Sequence, residues 1–201
     1  MSRIYGAVGM TLPPGAALLV VVAGRLTPGY DPVSRTISRL AVPGMPAAAM
    51  VDVAITLVAI TCLVLAINPN GGSMAGRAGL VVAGMAVAAT ALIHLDPSSE
   101  TATALHRVAS GVAVAGLTAA PFLLARTYGR MSVGVGVAEI AMLGLALVLL
   151  STSFSAWGAW ERITLAIPLG WMVLLSARAF MSDSSDAIAI PAAATVNSTG
   201  S

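Results

Sequence analysis

Six runs of mostly apolar residues divide this sequence, and each is close to the roughly 20 residues that an α-helix needs to cross a bilayer. The segments between them are rich in Gly, Pro, Asn, Asp and Ser, which favour turns. With 58% hydrophobic and 9% charged residues, a soluble globule of 201 residues could not bury so much apolar surface. The pattern predicts an all-α integral membrane bundle of six transmembrane helices.

The expected spans follow the apolar runs. They cover residues 6–26, 47–67, 78–95, 107–126, 134–153 and 163–180. Pro13 and Pro14 lie inside the first span and predict a kink or a late helix start. We therefore expect a transmembrane domain over residues 1–180. The Ser-, Asp- and Thr-rich residues 181–201 predict a disordered polar tail.

The charge pattern gives no reason to expect a nucleic acid partner. All ten basic residues are Arg, the net charge is +2, and no basic run exists. The expected partners are the lipid bilayer, lipid headgroups or other membrane proteins. Arg residues divide equally between the two sides, but the short loops on the side of the termini each carry Arg. We therefore expect a multi-pass protein of a bacterial cell membrane with cytoplasmic termini.

Polar chemistry is concentrated on one membrane face. In a six-span chain, loops one, three and five must emerge together on the side opposite the termini. These loops carry both histidines and four of the eight acidic residues, whereas loops two and four carry mainly Gly and Arg. The sequence therefore predicts that any functional site lies at the end of the bundle formed by loops one, three and five.

The first loop predicts a short amphipathic helix that lies in the membrane interface. Asp31 is a good helix N-cap, and Pro32 suits the first helical position. Val33, Ile37 and Leu40 recur at helical spacing and form one apolar stripe.

Four charged residues near the bilayer surface are expected to bind a ligand: Arg35, Arg39, Glu161 and Arg162. The three arginines suit an anionic headgroup. Arg35 and Arg39 lie four residues apart, so their guanidinium groups can hold a phosphate or a carboxylate together. Two alternatives remain open. The arginines bind lipid headgroups nonspecifically, or they form ion pairs with Asp96 or Glu161.

His94, Asp96 and His106 have the composition of a metal site, for a divalent ion such as zinc, to which Glu161 adds a possible fourth ligand. Their spacing matches no closed zinc motif, and the cofactor stays unknown. Asp96 before Pro97 is also an ordinary helix cap.

The same end of the bundle offers catalytic residues. Ser38, Asp96 and His106 form the expected set for water or serine attack assisted by histidine. His106 and Ser110 lie four residues apart and offer an alternative Ser–His pair. The non-catalytic alternative assigns these side chains to helix caps, ion pairs and hydrogen bonds between helices.

Two acidic residues lie within predicted spans, where an ionisable side chain is costly and therefore suggests function. Asp52 enters from the face of loops one, three and five, and Glu139 enters from the other face. Trp157 and Trp160 are expected to form part of an interfacial aromatic belt.

Four segments of the sequence resemble an uncharacterised multi-pass membrane family, catalogued as domain of unknown function 998. They are Asp31–Leu40 with its Ile-Ser-x-Leu core, the Asp-containing turn at residues 94–97, His106 at the start of span four, and Gly158–Ile163 with its Gly-x-x-x-Arg pattern. The likeness covers about residues 5–180 and departs from the family at His94-Leu95. It implies a six-helix membrane bundle and brings no established reaction.

These observations predict three kinds of function. A non-catalytic envelope scaffold or accessory protein is slightly favoured, because caps and ion pairs explain most of the polar residues. The alternative is a membrane-embedded hydrolase or lipid-modifying enzyme that acts on an anionic headgroup. A small-solute transporter using Asp52 and Glu139 ranks third, because the sequence lacks a visible repeat or paired broken helices.

Overall fold

A computed structural model describes residues 2–68 and 72–188, with side chains for residues 3–68 and 72–181. Within these ranges the chain forms six α-helices and no strand. The helices are α1 Ser2–Leu26, α2 Ala48–Ile67, α3 Met74–Leu92, α4 Glu100–Tyr128, α5 Arg130–Leu149 and α6 Trp157–Ile188. Each of the six is long and apolar enough to cross a membrane, which confirms the predicted fold class.

Five of the six described helices begin earlier than the expected spans, and α4 and α6 do so by the most residues. Helix α4 begins at Glu100 because the Ser99 hydroxyl accepts a hydrogen bond from the Ala102 N–H at 3.2 Å, which caps the helix. Helix α6 begins at Trp157 and continues to Ile188, past the expected boundary at residue 180. The remainder of the expected polar tail, residues 189–201, lies outside the described residues.

The helices pack mainly as sequential neighbours. Helix α1 packs against α2 and α6, α3 packs between α2 and α4, and α5 packs against α4 and α6. Small residues allow the close approach: a Cβ at Gly116 would lie 2.9 Å from the Ala83 Cβ. Leu124, Trp171 and Met172 lie in the main buried cluster.

The first loop differs from the expected interfacial helix. It contains only a 3-10 helix over Ile37–Arg39, preceded by a turn. Leu40 is 0% exposed and packs with Ala23 and Val51, whereas Val33 is exposed. The expected apolar stripe is therefore not on one face, because burial of Leu40 draws the end of the loop into the bundle.

Candidate functional site

The first loop is bound to the start of α6 through its backbone. The Ala159 N–H donates to the Val33 carbonyl oxygen at 2.9 Å. Gly158 makes this approach possible, since a Cβ there would lie 2.6 Å from the Pro32 carbonyl oxygen and closer still to that of Arg35. The loop backbone therefore lies directly against the helix.

Arg162 holds the same loop in place. Its Nη1 donates to the carbonyl oxygens of Pro32 at 2.9 Å and Arg35 at 3.3 Å, as well as to that of Gly158 at 2.9 Å. Its Nη2 donates to the Tyr30 hydroxyl at 2.6 Å. The sequence predicted that Arg162 binds an anionic ligand, but the structure places its guanidinium on backbone carbonyls of the chain.

Tyr30 completes this contact between the loop and α6. Its hydroxyl donates to the Arg35 carbonyl oxygen at 2.9 Å, and its ring lies 5.7 Å from the Arg162 guanidinium carbon. Burial raises the pKa of Tyr30 above its usual value, and the hydrogen bond from Arg162 partly opposes that shift. The tyrosine is therefore a neutral hydrogen-bonding partner near neutral pH.

Glu161 positions the segment that carries Ser38. Its Oε2 accepts a hydrogen bond from the Ile37 N–H at 2.5 Å. This contact joins residues 124 positions apart in sequence and fixes the 3-10 helix of the first loop. Glu161 and Ser38 therefore line the same cavity, but the Glu161 carboxylate binds the loop backbone.

Ser38 and His106 are brought together. The Ser38 Oγ lies 3.2 Å from the His106 Nε2, and the His106 Nδ1 lies 2.6 Å from the Ile93 carbonyl oxygen. Because a carbonyl oxygen can only accept, Nδ1 carries a proton, and in this tautomer Nε2 accepts from the Ser38 hydroxyl when it carries no proton. This is the arrangement of a nucleophile, a general base and a group that orients the base. His106 is 4% exposed, whereas Ser38 is half-buried, so water can reach the serine side of the pair.

A cavity of about 250 Å³ lies below this pair, among helices α2, α3, α4 and α6. Ser38, His106 and Glu161 lie at its polar end, and aliphatic side chains form most of the remaining wall. The lining includes Ile55, Val58, Val87, Val114, Leu117, Leu165 and Leu169. The cavity can hold an apolar chain while a polar group of the same molecule contacts Ser38 and His106.

Trp160 is the residue of this site that sequence analysis missed. It was assigned to an aromatic belt, and it does contact Trp157 edge-on at 5.9 Å between ring centroids. Its side chain also lines the cavity, where the indole N–H is buried and has no hydrogen-bond partner among the described residues. Only its position one residue before Glu161 linked it to the site in sequence.

Asp96 and His94 lie apart from the Ser38–His106 pair. The Asp96 carboxylate accepts hydrogen bonds from the Ser98 N–H at 2.8 Å and the Ser98 hydroxyl at 2.6 Å. The bond from the Ser98 hydroxyl is the main cause that lowers the pKa of Asp96. His94 Nε2 instead lies 3.0 Å from Asp52 Oδ1. Asp96 therefore stabilises its own turn, and His94 joins α3 to α2.

The residues predicted to bind a metal thus do not assemble. His94, Asp96 and His106 each have a different partner, because His106 points into the bundle while Asp96 closes an exposed turn. Within the described ranges, no group of three or more His, Cys, Asp or Glu side chains has the geometry to hold a metal ion.

Arg35 and Arg39 are exposed on the loop surface on either side of Ser38 in sequence.

Comparison with known proteins gives a family but no characterised relative. A family model described as "Protein of unknown function (DUF998)" matches residues 12–178. The matched range includes all four segments on which the resemblance rests. No curated protein matches the chain, and no solved structure matches it.

Proposed function

The chain belongs to the DUF998 family of proteins of unknown function, and from that premise we propose that it is a membrane-embedded hydrolase. Its substrate class is an ester of an anionic amphiphile. The observation that carries the proposal is the Ser38–His106 contact of 3.2 Å at the polar end of an apolar cavity. A serine beside an oriented neutral imidazole is the combination that nucleophilic hydrolysis requires.

The reaction proceeds in two steps. The Ser38 Oγ attacks the ester carbonyl carbon while His106 Nε2 takes the hydroxyl proton. The bond between that carbon and the leaving alcohol oxygen then breaks, and the alcohol takes the proton from His106. In the second step water attacks the acyl-serine, and its proton returns through His106 to the Ser38 Oγ as the carboxylic acid leaves.

Trp160 supplies a hydrogen bond to the reacting group in this proposal. The Trp160 side chain lines the same cavity as Ser38, and its buried indole N–H has no partner within the described chain. A donor aimed at the ester carbonyl oxygen stabilises the negative charge that develops there. A buried N–H without a partner costs free energy, so a ligand that supplies a hydrogen-bond acceptor is favoured there.

The exposed Arg35 and Arg39 support an anionic headgroup on the substrate. They flank the Ser38 segment at the surface, whereas the cavity below Ser38 is mainly apolar. An amphiphile with its chain in the cavity therefore places its ester near Ser38 and its charged group near the guanidiniums. Loss of both arginines should weaken binding of anionic more than neutral esters.

We further propose that the protein lies in the plasma membrane of a bacterium with both termini in the cytoplasm. The site then faces the outside, and the Arg residues in the short loops near the termini support this orientation. Ser34 is exposed in the first loop, so Ser34→Cys in a Cys62→Ala background should react with a membrane-impermeant maleimide in intact cells. If the introduced cysteine reacts only after lysis, the first loop lies in the cytoplasm and the proposed orientation is wrong.

The test of the hydrolase is covalent labelling of the full chain in lipid nanodiscs with a long-chain alkyl fluorophosphonate. We expect one phosphonyl adduct on Ser38 by intact mass and peptide mapping. Ser38→Ala should lose the adduct, and His106→Gln should slow labelling by about 100-fold or more. Ser34→Ala is the matched control, because Ser34 is exposed and its hydroxyl donates to Asp31.

Folding is followed in parallel through the melting temperature of each variant. Absence of labelling in the folded wild-type protein contradicts the hydrolase, as does labelling of Ser38 at an unchanged rate in folded His106→Gln. If His106→Gln unfolds, Trp160→Phe serves as the second variant: it removes the donor while it keeps the aromatic bulk, and it should reduce the labelling rate.

A non-catalytic scaffold or accessory protein is the second candidate. It is favoured by the hydrogen bonds of Arg162 and Asp96, which are all made within the chain. In that case the folded wild-type protein does not label, and Arg162→Ala lowers its abundance in the membrane. Arg107→Ala, which removes an exposed arginine from the same end, should leave abundance unchanged.

A further inference from the structure

Helix α5 carries a buried acid that the Ser38–His106 site does not use. Glu139 is 2% exposed, and its Oε1 has no hydrogen-bond partner among the described residues. It lies near the middle of α5, which contains one other ionisable residue, Arg130, at its first position. An isolated carboxylate at this depth is costly unless a proton or a cation compensates its charge.

Two hydroxyls on the helices that pack against α5 are unsatisfied in the same way. Thr118 on α4 and Thr164 on α6 have buried hydroxyls without a partner in the described structure. Thr11, Thr56 and Thr61 behave differently, because each donates to the carbonyl four residues earlier in its own helix. Burial alone does not explain the contrast, since Thr61 is also fully buried.

Helix register places Thr164 at the depth of Glu139. The Trp171 indole N–H donates to the Ser132 hydroxyl at 2.9 Å, which aligns α6 with α5. Glu139 lies seven residues after Ser132, and Thr164 lies seven residues before Trp171 on the antiparallel helix. Both are thus displaced by about 10 Å in the same direction and on the same helix faces.

The register of α4 against α5 places Thr118 at that depth as well. A Cβ at Gly136 would lie 2.6 Å from the Phe122 Cζ, so these two residues mark where the helices touch. Thr118 lies one turn before Phe122, and Glu139 lies about one turn after Gly136. Because α4 and α5 are antiparallel, this register puts Thr118 and Glu139 at the same depth on the side where the two helices touch.

Two buried prolines add carbonyl oxygens at this level. Pro121 lies within α4 and Pro168 lies within α6. A proline has no N–H, so the carbonyl four residues earlier loses its helical donor. These are the carbonyl oxygens of Leu117 and of Thr164 itself. In transporters, unwound backbone carbonyls of broken helices coordinate Na⁺ or H⁺, and a carbonyl freed by proline offers the same kind of oxygen.

We propose that this cluster binds one small monovalent cation, such as Na⁺, between helices α4, α5 and α6. The Glu139 carboxylate supplies the charge, and the hydroxyls of Thr118 and Thr164 with the two freed carbonyls supply neutral oxygens. A single carboxylate matches a single positive charge, whereas a divalent ion would leave an excess charge in the membrane. Thr164 also lines the cavity below Ser38 and His106, so the cation site adjoins that cavity, but neither Ser38 nor His106 supplies a ligand to the ion.

The test compares NaCl with choline chloride at equal ionic strength, using purified full-length protein in nanodiscs. We expect Na⁺ to raise the melting temperature in a saturable manner, because a ligand that binds only the folded state stabilises it. Glu139→Gln and Thr118→Val should lose the Na⁺-dependent rise. Thr164→Ser, which keeps the hydroxyl, should retain it.

Thr11→Val is the control, since it removes a hydroxyl that is bonded to its own helix. It should keep the Na⁺ response. Binding of radioactive ²²Na⁺ should follow the melting data, with saturable binding in the wild type and none in Glu139→Gln. Equal stabilisation by Na⁺ and choline overturns the proposal, as does a Na⁺ response that survives in folded Glu139→Gln. If Glu139→Gln does not fold, the comparison of Thr118→Val with Thr118→Ser decides.

Discussion

The two ends of the bundle are closed in different ways. At the Ser38–His106 end, hydrogen bonds join residues far apart in sequence, such as Glu161 to Ile37 and Arg162 to Pro32. At the opposite end the connections are short, and Gly129 alone separates α4 from α5. Several hydrogen bonds between distant segments therefore hold the first end. At the other end adjacent helices dominate, and the Ser73 hydroxyl donates one long-range bond to the Leu123 carbonyl oxygen at 2.8 Å.

Glycine serves both ends, but against different neighbours. Gly158 faces backbone carbonyls of the first loop, whereas Gly76 faces the side chain of Leu124. A side chain can move by changing rotamer, but a loop backbone held by Arg162 cannot move without losing its hydrogen bonds. We therefore expect the Ser38–His106 end to tolerate fewer substitutions than the opposite end.

Gly158→Ala should have the largest effect. The new Cβ would meet two carbonyl oxygens of the first loop, so the loop must leave α6. We expect a loss in the free energy of unfolding of more than about 3 kcal/mol. Thermal melting of the protein in nanodiscs measures it. Gly170→Ala in the same helix is the matched control, because no neighbouring atom lies within 4 Å of its added Cβ. Similar melting temperatures for both variants would remove the distinction between the two ends.

Gly76→Ala tests the opposite end and should cost less. Its Cβ would contact the Leu124 side chain, which is 1% exposed and packed in the main core. Overpacking of this kind costs about 1–3 kcal/mol, and we expect the lower half of that range. In a Leu124→Ala background, Gly76→Ala should cost less stability than it does in the wild type, because the clashing side chain is absent. A larger loss than in Gly158→Ala contradicts the comparison.

The smallest effect should come from the two capping carboxylates of the Ser38–His106 end. Hydrogen bonds from Ser34 and Ser98, respectively, are the main causes that lower the pKa of Asp31 and Asp96 below the ordinary value of 3.8. A lowered pKa in the folded state adds stability that is present above the unfolded pKa and is lost as the pH falls through the folded pKa. Both groups are exposed, so solvent screening keeps the contribution small.

The measurement is the melting temperature between about pH 5 and about pH 3. The wild type should lose stability as the pH falls, and Asp31→Asn with Asp96→Asn should flatten the part of the slope that these groups cause. If the melting temperature of the double variant depends on pH as strongly as that of the wild type, other carboxylates cause the loss of stability in acid. Ser98→Ala alone should move the change toward higher pH, because it removes the main donor to Asp96.

Much of the site could be anticipated as a set of residues but not as an arrangement. Ser38 and His106 were expected to act together, and the fold brings them within 3.2 Å. Asp96 belonged to the same expected set, yet its carboxylate closes a local turn. A short polar motif next to proline fits a cap and a catalytic acid equally well, so sequence spacing could not separate the two roles.

The sequence by itself determined the six membrane spans and the shared face of loops one, three and five, because a bilayer selects apolar runs of fixed length. Its short motifs also indicated the family to which the chain belongs. Only the tertiary structure decided which polar groups meet. The Ile93 carbonyl that orients His106, the backbone contacts of Arg162 and the cavity position of Trp160 depend on helix rotation and packing. Hydropathy along the chain contains no information about these angles, since it fixes how far a helix reaches but not the direction in which its side chains point.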